Sequence, residues 1–347
     1  MKRYRLILLL TTLWLAACSK EPLYQEQAYV FGTLVEVSVY GAPEPQAKQA
    51  LATVMQEFQR LHSMLHAWDA SELNNLNQAF STGKFMAVSP ELALLLKGAG
   101  SLAEQSDGLF NPAIGGLVKL WGFHADEFKP AIPDENLLKK LLNSRPRMSD
   151  IIFQDKQGLH YAGSHNSAVQ VDLGGYAKGY ALDRAAVLLK QQGIAHALVN
   201  IGGNVLAMGQ HGSRHWRVGI QHPRKAGPFA TIELHDGEAL GTSGDYQRYF
   251  QNDGQRYCHI IDPRNGRPVQ NVQAVTVLTR GLRAGVLSDA VSKPLFVAGP
   301  DAWRAVAKKM QLDDALLINA VGTLFLTESM QNRLTFTDKD MNRKMVP

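Results

Sequence analysis

The N-terminal segment sets the strictest limit on how this chain can fold. Lys2, Arg3 and Arg5 precede an uncharged and largely apolar run of twelve residues, 6–17. Such a run is too short to span a bilayer as a helix, and a cationic start before a short apolar stretch is typical of a secretory signal peptide. We therefore expect residues 1–17 to be removed on export, so that the domain must fold from the remainder.

Cys18 follows this segment directly. The motif Leu-Ala-Ala-Cys at 15–18 resembles the bacterial lipobox, in which the cysteine is lipidated and becomes the first residue of the mature protein. It predicts lipidation at Cys18, a lipid-anchored tether over residues 18–27, and a place in the bacterial cell envelope facing the periplasm. Ser19 stands where an aspartate would resemble the inner-membrane retention signal. Sorting to either the inner or the outer membrane stays open.

Cysteine and charge counts narrow the class of protein. Besides Cys18 the chain has only Cys258, so lipidation leaves no pair for an internal disulfide, and the domain must be held by its own core. Loss of residues 1–17 lowers the formal charge from +5 to +2. Because no run rich in lysine or arginine remains, the chain lacks the basic patch of a nucleic-acid-binding protein. We expect no nucleic-acid partner.

Hydropathy patterns predict one domain over residues 28–347. Apolar and polar residues alternate within 28–40, which indicates a strand. Apolar residues recur every three or four positions over 44–65, which indicates a helix. Along the rest of the chain, predicted strands and helices neither alternate strictly nor segregate. This pattern favours the α+β class, with a mixed, largely antiparallel sheet and packed helices.

The first candidate site lies where a predicted strand, 168–171, leads into a predicted helix, 177–191. Asp172 stands at the strand end, a glycine pair at 174–175 follows, and Lys178 lies on the first helical turn. Paired glycines let the backbone approach a ligand closely, and free N–H groups at the start of a helix favour an anion. The segment predicts either a site for a polyanionic ligand or a tight connection in which Asp172 caps the helix.

Two more segments combine glycine with polar groups. The pair at 202–203 lies inside a predicted strand, 197–207, where glycine marks either a bulge or the close approach of a ligand. In the segment 241–249, Ser243 shares a turn with other hydroxyls and with Arg248. That segment predicts either a site for phosphate or ribose, with Ser243 as a contact, or a polar hairpin.

His259 follows Cys258 in a predicted strand. Neighbouring strand residues point to opposite faces, so these two side chains do not form a nucleophile and base pair. A cysteine hydrolase is therefore disfavoured, and no G-x-S-x-G motif supports a serine hydrolase. His259 is instead a single titratable group on one face of the sheet, which is either structural or acts as an acid or base near neutral pH.

Asp289 and Ser292 lie three residues apart in a predicted helix, 283–297, and so share one face. Oxygen ligands at that spacing suit Mg²⁺, which needs only one or two carboxylates when carbonyls, waters and substrate phosphates complete its shell. An aspartate and a serine on a helix are also commonplace without a metal. A separate helix is predicted over 301–309.

Taken in order, these segments resemble the ApbE family of FAD:protein FMN transferases. Further matches to short motifs of that family lie upstream: Phe31-Gly32-Thr33, Ser71-Glu72-Leu73 with Leu76-Asn77, Phe110-Asn111-Pro112-Ala113-Ile114-Gly115, and Trp121-Gly122-Phe123. The resemblance spans residues 28–335. So many motifs in the same order are far more specific than any one of them.

The resemblance implies a reaction and its partners. It implies Mg²⁺-dependent cleavage of the FAD pyrophosphate, transfer of FMN through a phosphoester to a threonine or serine of a target protein, and release of AMP. Known targets of the family include periplasm-facing subunits of sodium-pumping and Rnf-type redox complexes. The implied partners are FAD, a target protein of this kind, and the membrane through the lipid anchor.

The resemblance also implies roles for single residues. Asp289 would ligate Mg²⁺ through its side chain, and Gly175 through its backbone carbonyl. His259 would accept the proton of the incoming hydroxyl or orient that group. The residues that would contact FAD are Phe31, Trp68, Leu109, Phe110, Asn111, Asp172, Lys178 and Ile260.

One position departs from the family pattern. The family helix reads D-x-x-[SDA]-T, with the threonine as a third metal ligand, but this chain has Lys293 there, followed by Pro294. A protonated lysine cannot ligate Mg²⁺, although its ammonium could lie near the cation position and pair with Asp289 as a fixed charge. Either Ser292 or water replaces the missing ligand and transfer survives, or the chain is an FAD-binding carrier with weak or no transferase activity. Pro294 is expected to perturb the helix unless it begins a turn.

Overall fold

The computed structural model describes residues 22–125 and 132–346, so Cys18 and the predicted signal peptide lie outside the described residues. The helices of this part of the chain are α1 (Glu44–Leu65), α2 (Glu72–Ser81), α3 (Pro90–Gln105), α4 (Gly115–Leu120), α5 (Glu135–Ser144), α6 (Ala177–Gln191), α7 (Ala284–Lys309) and α8 (Glu328–Arg333). None of them is both long enough and apolar enough to cross a membrane.

The strands are, in chain order, β1 (Leu23–Val30), β2 (Thr33–Tyr40), β3 (Met86–Val88), β4 (Ile151–Lys156), β5 (Leu159–Ser164), β6 (Ala197–Ile201), β7 (Asn204–Met208), β8 (Trp216–Gln221), β9 (Pro228–Leu234), β10 (Glu238–Gly244), β11 (Tyr249–Asn252), β12 (Gln255–Cys258), β13 (Ile261–Asp262), β14 (Arg267–Pro268), β15 (Val272–Arg280), β16 (Ala315–Asn319), β17 (Leu324–Leu326), β18 (Leu334–Phe336) and β19 (Arg343–Met345). Nine of them form the main sheet, in the order β1-β2-β6-β7-β10-β15-β16-β17-β19. Neighbours run antiparallel except β17 and β19, which are parallel. The predicted α+β class with a mixed, largely antiparallel sheet is thus confirmed.

Helix α1 forms where its apolar side chains recur on one side. Its buried residues pack against the apolar face of β2, formed by Val35, Val37 and Val39. Each fully buried aliphatic side chain contributes roughly 1.5–3 kcal/mol. The helix ends at Leu65, where the extended backbone of His66 directs the chain across the end of the sheet.

Strand β15 is buried on both faces, which fixes the layers of the fold. Val275 and Val277 belong to the core that includes α7, whereas Ala274 and Leu278 belong to a second core with the three-stranded sheet β18-β9-β8. Alternate residues of a strand point to opposite faces. The main sheet therefore lies between helices on one side and a small sheet on the other.

Strand β1 begins earlier than the sequence predicts. Leu23–Val30 pairs along its whole length with Thr33–Tyr40, so the described part of the predicted tether, 22–27, lies mostly in a strand. This strand is at the edge of the sheet, and most of its residues are only half-buried or exposed. An edge strand buries little, so its sequence is mostly polar and resembles a tether.

Two other predicted elements differ from the structure. Residues 168–171 make one isolated bridge, between Gln170 and Ile114, and no strand. Gly202 and Gly203, predicted within a strand, form the turn between β6 and β7, with φ of 58° and 91°. The two helices predicted over 283–309 are both present: α7 passes through Pro294, and the non-helical backbone of Gly299 (φ 75°, ψ 177°) separates its two helical parts.

Candidate active site

A cavity of about 600 Å³ opens at one end of the main sheet. Such a volume lies within the usual range for small-molecule and cofactor sites. Its wall combines the turn between β1 and β2, the end of α1, the loop before α6, the end of β10, and residues from the α7 face. The principal lining side chains are Phe31, His62, Trp68, Leu109, Phe110, Asn111, Asp172, Lys178, Ser243, Arg248, His259, Ile260 and Lys293.

The loop before α6 supplies a polar wall of the cavity. The Asp172 carboxylate accepts a hydrogen bond from the Gly174 N–H at 2.7 Å. Lys178 donates to the Gly174 carbonyl at 2.7 Å, which holds its ammonium next to the loop. Asp172 therefore stabilises the turn and lines the cavity. It does not cap α6, whose N-terminus at Tyr176 has no side-chain cap, so that alternative is wrong.

Helices α6 and α7 cross closely, which brings Asp289 to the start of α6. A Cβ on Gly179 would lie 2.3 Å from the Gly285 carbonyl oxygen and 2.8 Å from Asp289 Cβ. Only glycine at position 179 permits this approach. The Gly179 N–H consequently donates to Asp289 Oδ2 at 3.0 Å.

The Asp289 carboxylate is fully buried and paired with Lys293 one turn later. Lys293 Nζ contacts Asp289 Oδ1 and donates to its backbone carbonyl at 2.7 Å, and Lys178 Nζ lies 4.0 Å from the same carboxylate. Burial by itself raises the pKa of Asp289, but the two ammonium groups outweigh it and hold that pKa below its usual range. Burial lowers the pKa of Lys293 to about 8, so the pair is ionised at neutral pH.

The residues present do not fit the magnesium site that the resemblance implies. Mg²⁺ requires a near-octahedral shell of oxygen ligands. Asp289 Oδ1 already holds an ammonium, and the Ser292 hydroxyl donates to the Asp289 carbonyl at 2.8 Å and lies 2.7 Å from Ser243 Oγ.

His259 presents a neutral imidazole to the cavity. Nδ1 lies 3.1 Å from the Arg248 carbonyl; a carbonyl only accepts, so Nδ1 carries the proton and Nε2 has a free lone pair. Burial, reinforced by the positive charge of Arg248, lowers the pKa of His259 to about 3. The ring can therefore accept a hydrogen bond from a hydroxyl at neutral pH, but it is a weak base.

Aromatic and imidazole rings line the opposite wall. Phe31 adopts φ of 57° in the turn between β1 and β2, a left-handed conformation that costs a non-glycine residue roughly 1–2 kcal/mol. Its ring packs edge-on against Phe58 and His62. Trp68 packs edge-on against His124. Strained backbone at a cavity wall is typical of ligand sites.

Three members of this wall, His62, His66 and His124, were not singled out in the sequence. His62 and His66 are four residues apart at the end of α1, so they share one face, and their rings are 5.4 Å apart. This four-residue spacing could have predicted the pair from the sequence. No sequence pattern could have predicted His124, because it joins the wall only through the tertiary fold.

Both the sequence and the fold of this chain match known proteins. The model of the ApbE family matches residues 31–317. The chain belongs to the ApbE family. Over 313 residues it is 45% identical to a protein of Rhodobacter capsulatus named FAD:protein FMN transferase, a match that covers 90% of this chain and 58% of that relative. The chain thus spans less than two thirds of that relative's length.

Other ApbE relatives match over most of both chains. A FAD:protein FMN transferase of Treponema pallidum is 33% identical over 314 residues, which cover 85% of this chain and 84% of that relative. The crystal structure of the ApbE protein of Thermotoga maritima has a TM-score of 0.81 and 30% identity, and covers 90% of this chain and 99% of its own. The apo flavinyl transferase ApbE of Pseudomonas stutzeri has a TM-score of 0.77 and 25% identity, covering 91% and 98%.

The structure brings most of the site residues predicted from the ApbE resemblance to one cavity. Those that line it are Phe31, Trp68, Leu109, Phe110, Asn111, Asp172, Gly175, Lys178, Ser243, His259, Ile260 and Lys293. Asp289 and Ser292 do not line it; both are fully buried behind the wall. Lys293 lies between Asp289 and the cavity.

Proposed function

We propose that this chain is a FAD:protein FMN transferase. One observation supports the proposal most directly. A single cavity has a wall of aromatic rings around Phe31 and Trp68 and a cationic wall at Lys178 and Lys293. A flat isoalloxazine or adenine ring suits the first wall, and a diphosphate suits the second. The names of the relatives support the same activity.

The reaction we propose transfers a phosphoryl group. The hydroxyl oxygen of a threonine or serine on the target attacks the phosphorus on the FMN side, the bond from that phosphorus to the bridging oxygen breaks, and AMP leaves with that oxygen. As the phosphoester forms, the hydroxyl proton passes to the phosphate of the leaving AMP or to water. His259 accepts a hydrogen bond from the hydroxyl and orients it, whereas Lys178 and Lys293 offset the negative charge on the phosphate oxygens. No step of the proposed reaction passes through Mg²⁺, because the residues present do not fit it.

We also propose where the reaction takes place. A chain lipidated at Cys18 would be held at the membrane and face the periplasm. Target proteins would then be exported or periplasm-facing, such as subunits of sodium-pumping or Rnf-type redox complexes. The lipobox-like sequence at 15–18 supports this location.

A second candidate function is an FAD-binding carrier that does not turn FAD over. The pairing of Asp289 with Lys293 favours it, because this pair occupies the position of the implied metal site. Without a metal, the leaving AMP has less charge stabilisation.

AMP release and covalent flavin labelling separate the two candidates. The purified protein is incubated with FAD and a candidate periplasm-facing acceptor, with the acceptor hydroxyl replaced in a matched control. We expect AMP in the supernatant and flavin fluorescence on the denatured acceptor but not on the control. Retention of FAD with neither product would overturn the transferase and leave the carrier.

A further inference from the structure

The ionised side chains of the cavity have an excess of positive charge. Among the Asp, Glu, Lys and Arg residues of the described chain, those that line it are Asp172, Lys178, Arg248 and Lys293. Three cations and one carboxylate therefore line the cavity, and the buried Asp289 carboxylate behind Lys293 brings the net charge of this group to +1. A dinucleotide diphosphate carries two negative charges near neutral pH, so this net positive charge attracts it.

Lys293 lies where a metal would have to lie. The position that the resemblance implies for the metal is between the Asp289 side chain and Gly175. The structure has Lys293 Nζ in contact with Asp289, and a Cβ on Gly175 would be 3.2 Å from Lys293 Cε. The lysine side chain thus passes close to Gly175 and ends at Asp289.

The ammonium of Lys293 retains one hydrogen-bond donor for a ligand. An ammonium has three N–H donors. Lys293 directs two of them to Asp289, to its backbone carbonyl and to Oδ1. The side chain is 17% exposed, whereas that of Asp289 is fully buried. The third donor has access to the cavity, where a phosphate oxygen can accept it.

We infer that the Lys293 ammonium, fixed by Asp289, is the built-in cation that holds the FAD diphosphate in place of a divalent metal. This inference rests on the proposed function for the identity of the ligand. It makes Asp289 a positioning residue, which orients Lys293 and does not touch FAD. A lysine acts as a compact point charge that needs no oxygen shell, which accounts for the engaged Ser292 hydroxyl.

The direct test measures FAD binding by the full chain with excess EDTA and with excess Mg²⁺. We expect dissociation constants that agree within about twofold in the two conditions. For Lys293→Thr we expect at least about a tenfold weaker affinity in EDTA, the usual loss for one charge-assisted hydrogen bond. Added Mg²⁺ should restore affinity in that variant, because threonine returns an oxygen ligand beside Asp289.

Two further variants control for charge and for folding. Lys293→Arg keeps the charge in a larger group and should bind FAD in EDTA more tightly than Lys293→Thr does. Lys48→Thr removes an exposed lysine of α1, far from the cavity lining, and should bind as the wild type does. The wild-type measurement in EDTA needs no variant, so it stands even if Lys293→Thr fails to fold.

The outcomes separate this inference from the proposed function. Wild-type affinity that falls tenfold in EDTA and returns with Mg²⁺ would overturn the role of Lys293. AMP release and acceptor labelling are measured in the same samples. Metal-independent FAD binding with neither product would support the role of Lys293 and contradict the proposed transferase activity.

Discussion

His259 is a histidine whose surroundings keep it neutral. Its backbone N–H and its Nδ1–H both point to the Arg248 carbonyl, which fixes the ring and leaves Nε2 as an acceptor. Burial and the charge of Arg248 lower its pKa to about 3. In the unfolded chain a histidine titrates near 6.5, so the folded and unfolded states bind different numbers of protons.

We expect His259 to make the fold sensitive to mild acid. Below pH 6.5 the unfolded state binds a proton at His259 that the folded state does not bind. The contribution of the neutral His259 ring to the free energy of unfolding is therefore complete above pH 6.5 and is lost as the pH falls. Between pH 7 and pH 5 the loss is on the order of 2 kcal/mol. Urea unfolding of the wild type and of His259→Gln at both pH values measures it. Equal pH slopes for the two proteins would refute the assignment.

At the scale of elements, the site depends on how closely α6 and α7 cross. Gly179 lies against Gly285 and Val286 of α7, and its N–H binds Asp289. Because Asp289 in turn positions Lys293, a change in helix separation moves the cation at the cavity wall. The bend at Gly299 lies ten residues beyond Asp289, away from this crossing.

We expect Gly179→Ala to destabilise the protein and to disturb the site. The new Cβ would overlap the Gly285 carbonyl, and overpacking of this kind costs typically about 1–3 kcal/mol. Gly100→Ala in α3 is the matched control, because the nearest atom to its Cβ would be 3.9 Å away; there the alanine should stabilise by up to about 1 kcal/mol. Chemical unfolding of both variants measures the difference. If Gly179→Ala unfolded no more easily than Gly100→Ala, the close crossing would be refuted.

At the scale of the whole molecule, we propose that an export and lipidation signal precedes the domain. The domain needs no disulfide, since Cys258 is buried and unpaired. Burial raises the pKa of the Cys258 thiol to about 12, so this thiol is protonated and unreactive at neutral pH. Cys18 is thus the cysteine available for modification in our proposal.

We expect lipid attachment to depend on Cys18 alone. In a bacterial host, wild-type protein should incorporate labelled palmitate, and mass spectrometry should give a mature N-terminus at Cys18. Cys18→Ser should incorporate none and retain residues 1–17, whereas Ser19→Ala should behave as the wild type does. Label that persists in Cys18→Ser would contradict the lipobox interpretation.

The sequence by itself determined those features that depend on neighbours along the chain. The spacing of apolar residues gave α1 its bounds, 44–65, because one helical face must be apolar over every turn. Ordered motifs identified the residues that line the cavity, including Asp172, Lys178 and His259. Cys258 lies in the core and His259 lines the cavity, so the two are separate as predicted. The predicted strand over both is wrong, because β12 ends at Cys258 and strand alternation does not extend to His259.

The tertiary structure decided what depends on partners far along the chain. It made 202–203 a turn, joined His124 to the aromatic wall, and paired the polar edge strand β1 with β2. It also put Lys293, and not Asp289, at the cavity surface. A sequence pattern predicts which face of a helix a residue occupies but not how deeply its side chain is buried. The burial of Asp289 is fixed only when α7 packs against α6 at Gly179.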